Sequence, residues 1–318
     1  KMMSYYILSN YNRKFAKNSI AYTKGRSVRS AFKMLKSFKL TKDDVIYKND
    51  FSDYFNSIDI DLLDKKVKDF LDQDVELYSI IMSLLREPRV VDGKQIKTPQ
   101  KGVMAGSPIA GILANIFMDD LDKKMLQKGY RYIRYADDTL IVGKEALDFF
   151  VSEIEKKGVK FNHKKTEVFN IETGLTFLGF KHIGNKIDIS DKARKKMKSR
   201  FKRRAKWYRQ WMFRKNVPVE TAVKDYIKKI NYKLYSEQDD SINWSRWYLP
   251  NINTDESLKY LDQYFVRAIR YLYTGHWNQT SRHYALTYEK IKKLGYFSLV
   301  NEYYKTKKEK RSKKNRSE

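Results

Sequence analysis

The sequence predicts an α+β protein in consecutive parts: a mixed helix-and-strand body over 1–190, a basic helical body over 191–303 and a polar tail over 304–318. Short β-branched or alternating runs, "DVIYKND", "YRYIRY" and "TLIVG", lie in the first part. Apolar residues at helical spacing mark the second. The charge is uneven as well. Residues 191–318 hold 33 basic and 13 acidic side chains, so they supply +20 of the chain's net +28.

Taken in order, residues 43–59 open on a short strand at Val45–Tyr47 that continues to Asp50 and the aromatics Phe51, Tyr54 and Phe55. Residues 102–118 are apolar but interrupted by Pro108 and three glycines, so no uncharged run is long enough to span a bilayer. Next, "YRYIRY" and "TLIVG" form a hairpin whose turn is Ala136-Asp137-Asp138. If the strand ending at Asp50 lies beside that hairpin, three carboxylates meet at one end. Like charges so placed are prohibitive without divalent cations between them. Asp119, Asp120 and Asp122 are expected to cap or line a helix surface.

The second part begins with a helix carrying Met197, Phe201, Ala205, Tyr208 and Met212 on one face, capped by Ser190 or Asp191. Its other face, with Lys195, Lys198, Arg203 and Lys206, suits a polyanion. Trp207, Tyr208, Trp211, Trp244, Trp247 and Tyr248 are expected to fill the core more often than to stack on bases. The tail from Lys305 is too polar to pack and is expected to be disordered. Cysteine is absent, which excludes disulfides and thiolate metal sites. No signal-peptide pattern opens the chain, and a cytoplasmic, nucleic-acid-handling protein with no membrane association is expected.

Tyr135-Ala136-Asp137-Asp138 resembles the YxDD box of reverse transcriptases, and five further segments agree in order. "DFSDYFNSI" (50–58) resembles the first palm motif, and "KGVMAGSPIAGILANIFMDDLD" (101–122) the GSP motif opening a palm helix. Asn162, Lys165 and Thr166 match an Asn-x-x-Lys-Thr motif, "GLTFLGF" (174–180) the primer-grip hairpin, and "SIAYTKGRSVRSAF" (19–32) a Gly-Arg-Ser segment of bacterial enzymes. The resemblance implies a right-hand polymerase fold with partial fingers, a palm of antiparallel sheet plus helices, and a helical thumb. It implies RNA-directed DNA synthesis with two Mg²⁺ ions, Mn²⁺ being a substitute. Asp50, Asp137 and Asp138 would bind metal with the Phe51 carbonyl, and Lys165 would act at the leaving pyrophosphate. Phe55 would be the steric gate against a ribose 2′-hydroxyl. Ala105, Gly106, Ser107 and Arg26 would meet the nucleotide. Leu178, Gly179, Lys195, Lys198, Arg203 and Lys206 would meet nucleic acid. Implied partners are an RNA template, a DNA primer and product, and deoxynucleoside triphosphates, with an oligomer or second protein left open.

Two departures stand out. Ala105 occupies a place where the family usually has glutamine, and the fingers hairpin expected before the Gly-Arg-Ser segment is missing, as in a trimmed chain. No nuclease or retron signature follows the thumb. The ending "LGYFSLVNEYY" resembles compact defence-associated bacterial reverse transcriptases of the group II intron/retron-like lineage, which work against phage with a dedicated noncoding RNA. Two alternatives keep the same motifs: template-independent or protein-primed DNA synthesis, and a maturase-like RNA-binding protein with a vestigial palm.

Overall fold

A computed structural model describes the whole chain except residues 52, 73, 88, 92–94, 160, 162–165, 236–243, 278–284 and 315–318, and describes only the backbone at 50, 89–91, 95–97, 310, 311, 313 and 314. The expected α+β architecture with antiparallel sheets is observed. The chain divides into two compact units, Lys1–Thr173 and Gly174–Glu318.

In the first unit the described elements are α1 (Met2–Asn10), α2 (Val28–Ser37), β1 (Ile46–Asp50), α3 (Tyr54–Ser57), α4 (Ile60–Leu71), α5 (Val75–Arg86), β2 (Arg89–Val91), β3 (Gln95–Lys97), α6 (Ala110–Gln127), β4 (Tyr132–Tyr135), β5 (Asp138–Val142), α7 (Lys144–Lys156) and β6 (Glu167–Phe169). β1 reaches Asp50 as expected, paired with β5 along its whole length and with β6 over Ile46–Lys48. The sheet runs β4-β5-β1-β6, antiparallel throughout. Helix starts follow side-chain chemistry: Asp59 accepts from the Asp61 and Leu62 amides at 3.0 Å, and Ser27 and Ser30 form a reciprocal capping box. α6 is apolar on nearly every side because it is the central helix, flanked by α4 and α7. Pro108 does not start it. Pro108 and Ile109 are turn residues, and Ala110 is the first helical position, its amide bonded to the Ser107 carbonyl at 3.2 Å.

The second unit holds β7 (Leu175–Phe177), β8 (Phe180–Ile183), β9 (Lys186–Ile189), α8 (Asp191–Arg214), α9 (Val219–Tyr235), α10 (Trp244–Tyr248), α11 (Glu256–Thr274), α12 (Tyr288–Lys293) and α13 (Leu299–Lys314). Its division from the first unit falls before the charge step at residue 190. The β7–β9 meander packs on α11, where Ser257 donates to Asp188 at 2.8 Å. Ser190 rather than Asp191 caps α8, accepting from the Ala193 amide at 3.3 Å. Met197, Phe201, Ala205 and Met212 are buried as expected, with Phe201 stacked on Phe265 at 4.7 Å. The expectation of a disordered tail is corrected: α13 runs to Lys314. Buried Leu299 and Tyr303 anchor its first turns, and the remainder is mostly lysine and arginine, which are good helix formers. The aromatic set is corrected too: Trp207 is 47% exposed, and Tyr208, Trp211, Trp244, Trp247 and Tyr248 are only partly buried. Among the described residues no helix is long and apolar enough to cross a membrane.

Candidate active site

The strand register assembles the acids. Asp50, the last residue of β1, stands opposite Asp138, the first residue of β5, and Tyr135 of β4 pairs with Asp138 from the other side. Only Ala136 and Asp137 lie outside the ladder, so this is a two-residue hairpin loop and Asp138 belongs to the strand rather than to the turn. Ala136 has φ +58°, a left-handed conformation that a Cβ disfavours by roughly 1–2 kcal/mol. Asp137 and Asp138 are partly exposed. Like charges directly opposite in a sheet are destabilising, which makes this end of the sheet a place for a cation.

The turn is held from beneath by a buried charge. Arg134 is fully buried and ion-paired with Asp122, also fully buried. Its Nε donates to Asp122 Oδ1 at 3.0 Å and Oδ2 at 3.2 Å, its Nη1 to Asn115 Oδ1 at 2.9 Å and to the Ala136 carbonyl at 3.2 Å, and its Nη2 to Ser19 Oγ at 2.8 Å. Tyr132 adds a hydroxyl bond to Asp122 at 3.0 Å. Burial opposes the charge on Arg134, but the Asp122 carboxylate beside it raises its pKa above the ordinary value. Asp119 is buried too, accepting from the Ala16 amide at 2.9 Å, and Asp120 bridges Lys66 and Lys157. The expectation that these aspartates line a surface is therefore corrected for Asp119 and Asp122, which are buried with specific partners, whereas Asp120 is partly exposed.

Phe51 is buried and stacks on Tyr54 at 5.1 Å. Phe55 is half-buried at the edge of the core. Tyr22, absent from the expected site, meets Phe55 edge-on with centroids 6.4 Å apart. Its hydroxyl is pushed above the ordinary phenol value by burial and by the nearby Asp137 charge. The sequence signal was only that Tyr22 lies in the 19–32 segment, three residues before Gly25-Arg26-Ser27. Ala105, Gly106 and Ser107 form the turn before α6. Gly106 has φ +90° with open space where a Cβ would stand, so glycine is required there by backbone conformation and not by crowding within the protein. Ser107 Oγ is buried without a hydrogen-bond partner.

Arg26 is corrected from a nucleotide contact to a structural one. Its guanidinium donates to the backbone carbonyls of Ala16, Ser19 and Phe15, the last at 3.0 Å, and burial lowers its pKa. Lys165, with Asn162, lies outside the described residues. In the second unit, Leu178 and Gly179 have φ +52° and +83° between paired Phe177 and Phe180, the two positive values of a type I′ turn. Lys195, Arg203 and Lys206 are exposed, whereas Lys198 sits over the rings of Tyr260 and Tyr264, 5.8 and 5.0 Å from their centroids.

Among the described residues no group of three His, Cys, Asp or Glu side chains is close enough to hold a metal; the Asp50 side chain is outside that description. The donor chemistry fits nonetheless. Asp137 and Asp138 are adjacent, and the Asp50 backbone is in register with them; all three carry hard carboxylate oxygens of the kind Mg²⁺ and Mn²⁺ take.

Among solved structures, the chain is similar to apo telomerase from Candida tropicalis (14% identity, TM-score 0.45, covering 92% of this chain and 57% of that one) and to a form of it truncated of its C-terminal domain (15%, 0.43, 59% and 44%). A human picobirnavirus RNA-dependent RNA polymerase is also similar (13%, 0.40, 57% and 36%). The chain thus spans less than two thirds of the length of each. No curated protein sequence matches it. Residues 1–182, more than half of the chain, match the family model described as reverse transcriptase (RNA-dependent DNA polymerase), and the chain belongs to that family.

Proposed function

We propose that this protein is an RNA-directed DNA polymerase that adds deoxynucleotides to a primer 3′-hydroxyl at the end of the β1–β5 strand pair, which is the palm of the family's right-hand fold. The observation that supports this best is the register of Asp50 opposite Asp138, with Asp137 in the adjoining two-residue loop. Asp50, Asp137 and Asp138, with the Phe51 carbonyl, would hold two Mg²⁺ ions, which neutralise triphosphate charge and make the primer hydroxyl a better nucleophile. The protein's own part is positioning. Arg134 fixes the Ala136 carbonyl and so the Asp137 side of the site. The open space over Gly106 leaves backbone accessible to a nucleotide. Phe55 supplies a ring on the sugar side that excludes a 2′-hydroxyl. Lys165 supplies charge, or a proton, at the leaving pyrophosphate. In the second unit the Leu178-Gly179 turn and the exposed Lys195, Arg203 and Lys206 would contact the template–primer through its phosphates. The ending "LGYFSLVNEYY" supports a role with a dedicated noncoding RNA in antiphage defence.

Asp137→Asn with Asp138→Asn tests the assignment. Nucleotide incorporation on poly(rA)–oligo(dT) is expected to fall by more than about 10³-fold, while RNA affinity stays within about twofold, because a lost transition-state contact lowers turnover rather than ground-state binding. Undiminished synthesis would refute the catalytic assignment. Tyrosine-linked DNA that survives proteinase treatment would favour protein priming on the same acids. RNA binding by a wild type that incorporates no nucleotide would favour the maturase-like reading.

A further inference from the structure

We infer that Tyr22 is a specificity-determining positioning residue, acting through Phe55 to set the sugar side of the nucleotide pocket. The inference rests on the polymerase reading above and adds to it a residue to which the matched motifs gave no role.

Backbone pairing delivers Tyr22 to the site. The Arg134 amide donates to the Asn18 carbonyl at 2.9 Å and the Ile20 amide to the Arg134 carbonyl at 2.9 Å, so Ser19 runs parallel beside Arg134. Beyond that pair both segments turn, and Tyr22 comes near enough to Asp137 for its charge to act on the phenol. Asn115 holds the preceding carbonyl, Ala21 O, at 2.7 Å, and the same Asn115 accepts from Arg134. Tyr22 is thereby kept at φ +55°, a left-handed conformation unusual for a bulky residue.

Two contacts then fix the ring. A Cβ at position 111 would come under 3.0 Å from three of its carbons, so the ring lies on the bare Cα face of Gly111 in α6. Its edge meets Phe55 at an interplanar angle of 74°. Yet Tyr22 is 47% exposed. A strained ring seated on a helix glycine and left half-open gains little as core. Beside the acid turn it forms a wall: it stops Phe55 from rotating away from the space where a 2′-hydroxyl would enter. Strain concentrated at a site is where such pre-organisation is found.

The test uses the full chain on poly(rA)–oligo(dT), reading kcat and KM for dTTP and for UTP. Tyr22→Ala is expected to raise KM for dTTP with a smaller change in kcat and to lower the deoxy-over-ribo preference by about tenfold, the scale on which removal of one packing group relaxes a pocket. Gly111→Ala, which touches neither Phe55 nor the acids, should reproduce the loss by displacing the ring, and the double variant should be no worse than Tyr22→Ala. Tyr22→Phe should retain the preference, since the ring and not the hydroxyl meets Phe55. Unchanged sugar preference in Tyr22→Ala, where Phe55→Ala relaxes it, would overturn this inference and leave the polymerase reading standing. A wild type that incorporates neither nucleotide would overturn both.

Discussion

Replacing Arg134 separates what holds the first unit together from what aligns its acids. The Arg134–Asp122 pair has no solvent exposure at either side chain. Arg134→Met leaves the Asp122 carboxylate buried, with the Tyr132 hydroxyl still donating to it and the Arg26 charge acting on it from further off, and breaking such a pair costs about 3–5 kcal/mol. At roughly 2–4 °C per kcal/mol for a body of this size, the melting temperature should fall by roughly 6–20 °C. Arg134→Met with Asp122→Leu removes both charges together, and exchanges of that kind are often neutral in stability. The double variant should therefore recover most of the lost melting temperature. Activity should not follow, because the Ala136 carbonyl has still lost its donor and the left-handed turn is no longer over-determined. Thermal melts and nucleotide incorporation on the three variants form the assay. A single variant costing under about 1 kcal/mol, or a double variant regaining activity along with stability, would refute this account of the buried arginine.

Two further outcomes can be checked in the same preparations. Leu178→Asn suits the left-handed first position of the β7–β8 turn and should raise stability by about 0.5–1 kcal/mol in a thermal melt; if it also weakens template–primer binding, the strained leucine belongs to the contact surface. Hydrogen bonding from Arg131 lowers the Asp44 carboxyl from 3.8 to about 2, with the Thr41 amide assisting against burial. A depressed carboxyl stabilises the fold fully above its unfolded pKa and loses that contribution as pH falls toward the folded value. Stability should thus decline between about pH 4 and pH 2, and Asp44→Asn, less stable at pH 7, should flatten that stretch of an acid-unfolding curve.

What could be read from the sequence was whatever repeats locally. Alternation in "YRYIRY" and "TLIVG" located β4 and β5, and with them the acid turn, while the α8 periodicity located four buried residues. The same alternation misleads at Arg134, since a polar residue in an alternating strand ordinarily faces water. Its neutralising partner, Asp122, belongs to another element, and nothing local in the chain couples the two. Arg26 fails similarly: an arginine beside glycine and serine resembles a phosphate contact, and only the folded backbone shows three carbonyls satisfying it. The tail looked too polar to order because composition reports no anchor, yet Leu299 and Tyr303 provide one. Left-handed residues such as Tyr22 and Ala136 carry no composition signal at all.

Arg134, Ala136 and Tyr22 belong to one device. The buried guanidinium of Arg134 bonds the Ala136 carbonyl directly and, through Asn115, is linked to the Ala21 carbonyl that precedes Tyr22. The turn presenting Asp137 and the ring beside Phe55 are therefore referenced to one charge in a site without water access, where bonds to charged groups are strong and loss of any member leaves another group unpaired. A lysine at 134 could keep the ion pair but lacks the planar fork that reaches Asp122, Asn115 and Ala136 together. On that geometry Arg134→Lys should disturb sugar selection and turnover more than it disturbs stability. A lysine variant that melted early yet kept full activity and selectivity would mean that the network only holds the core.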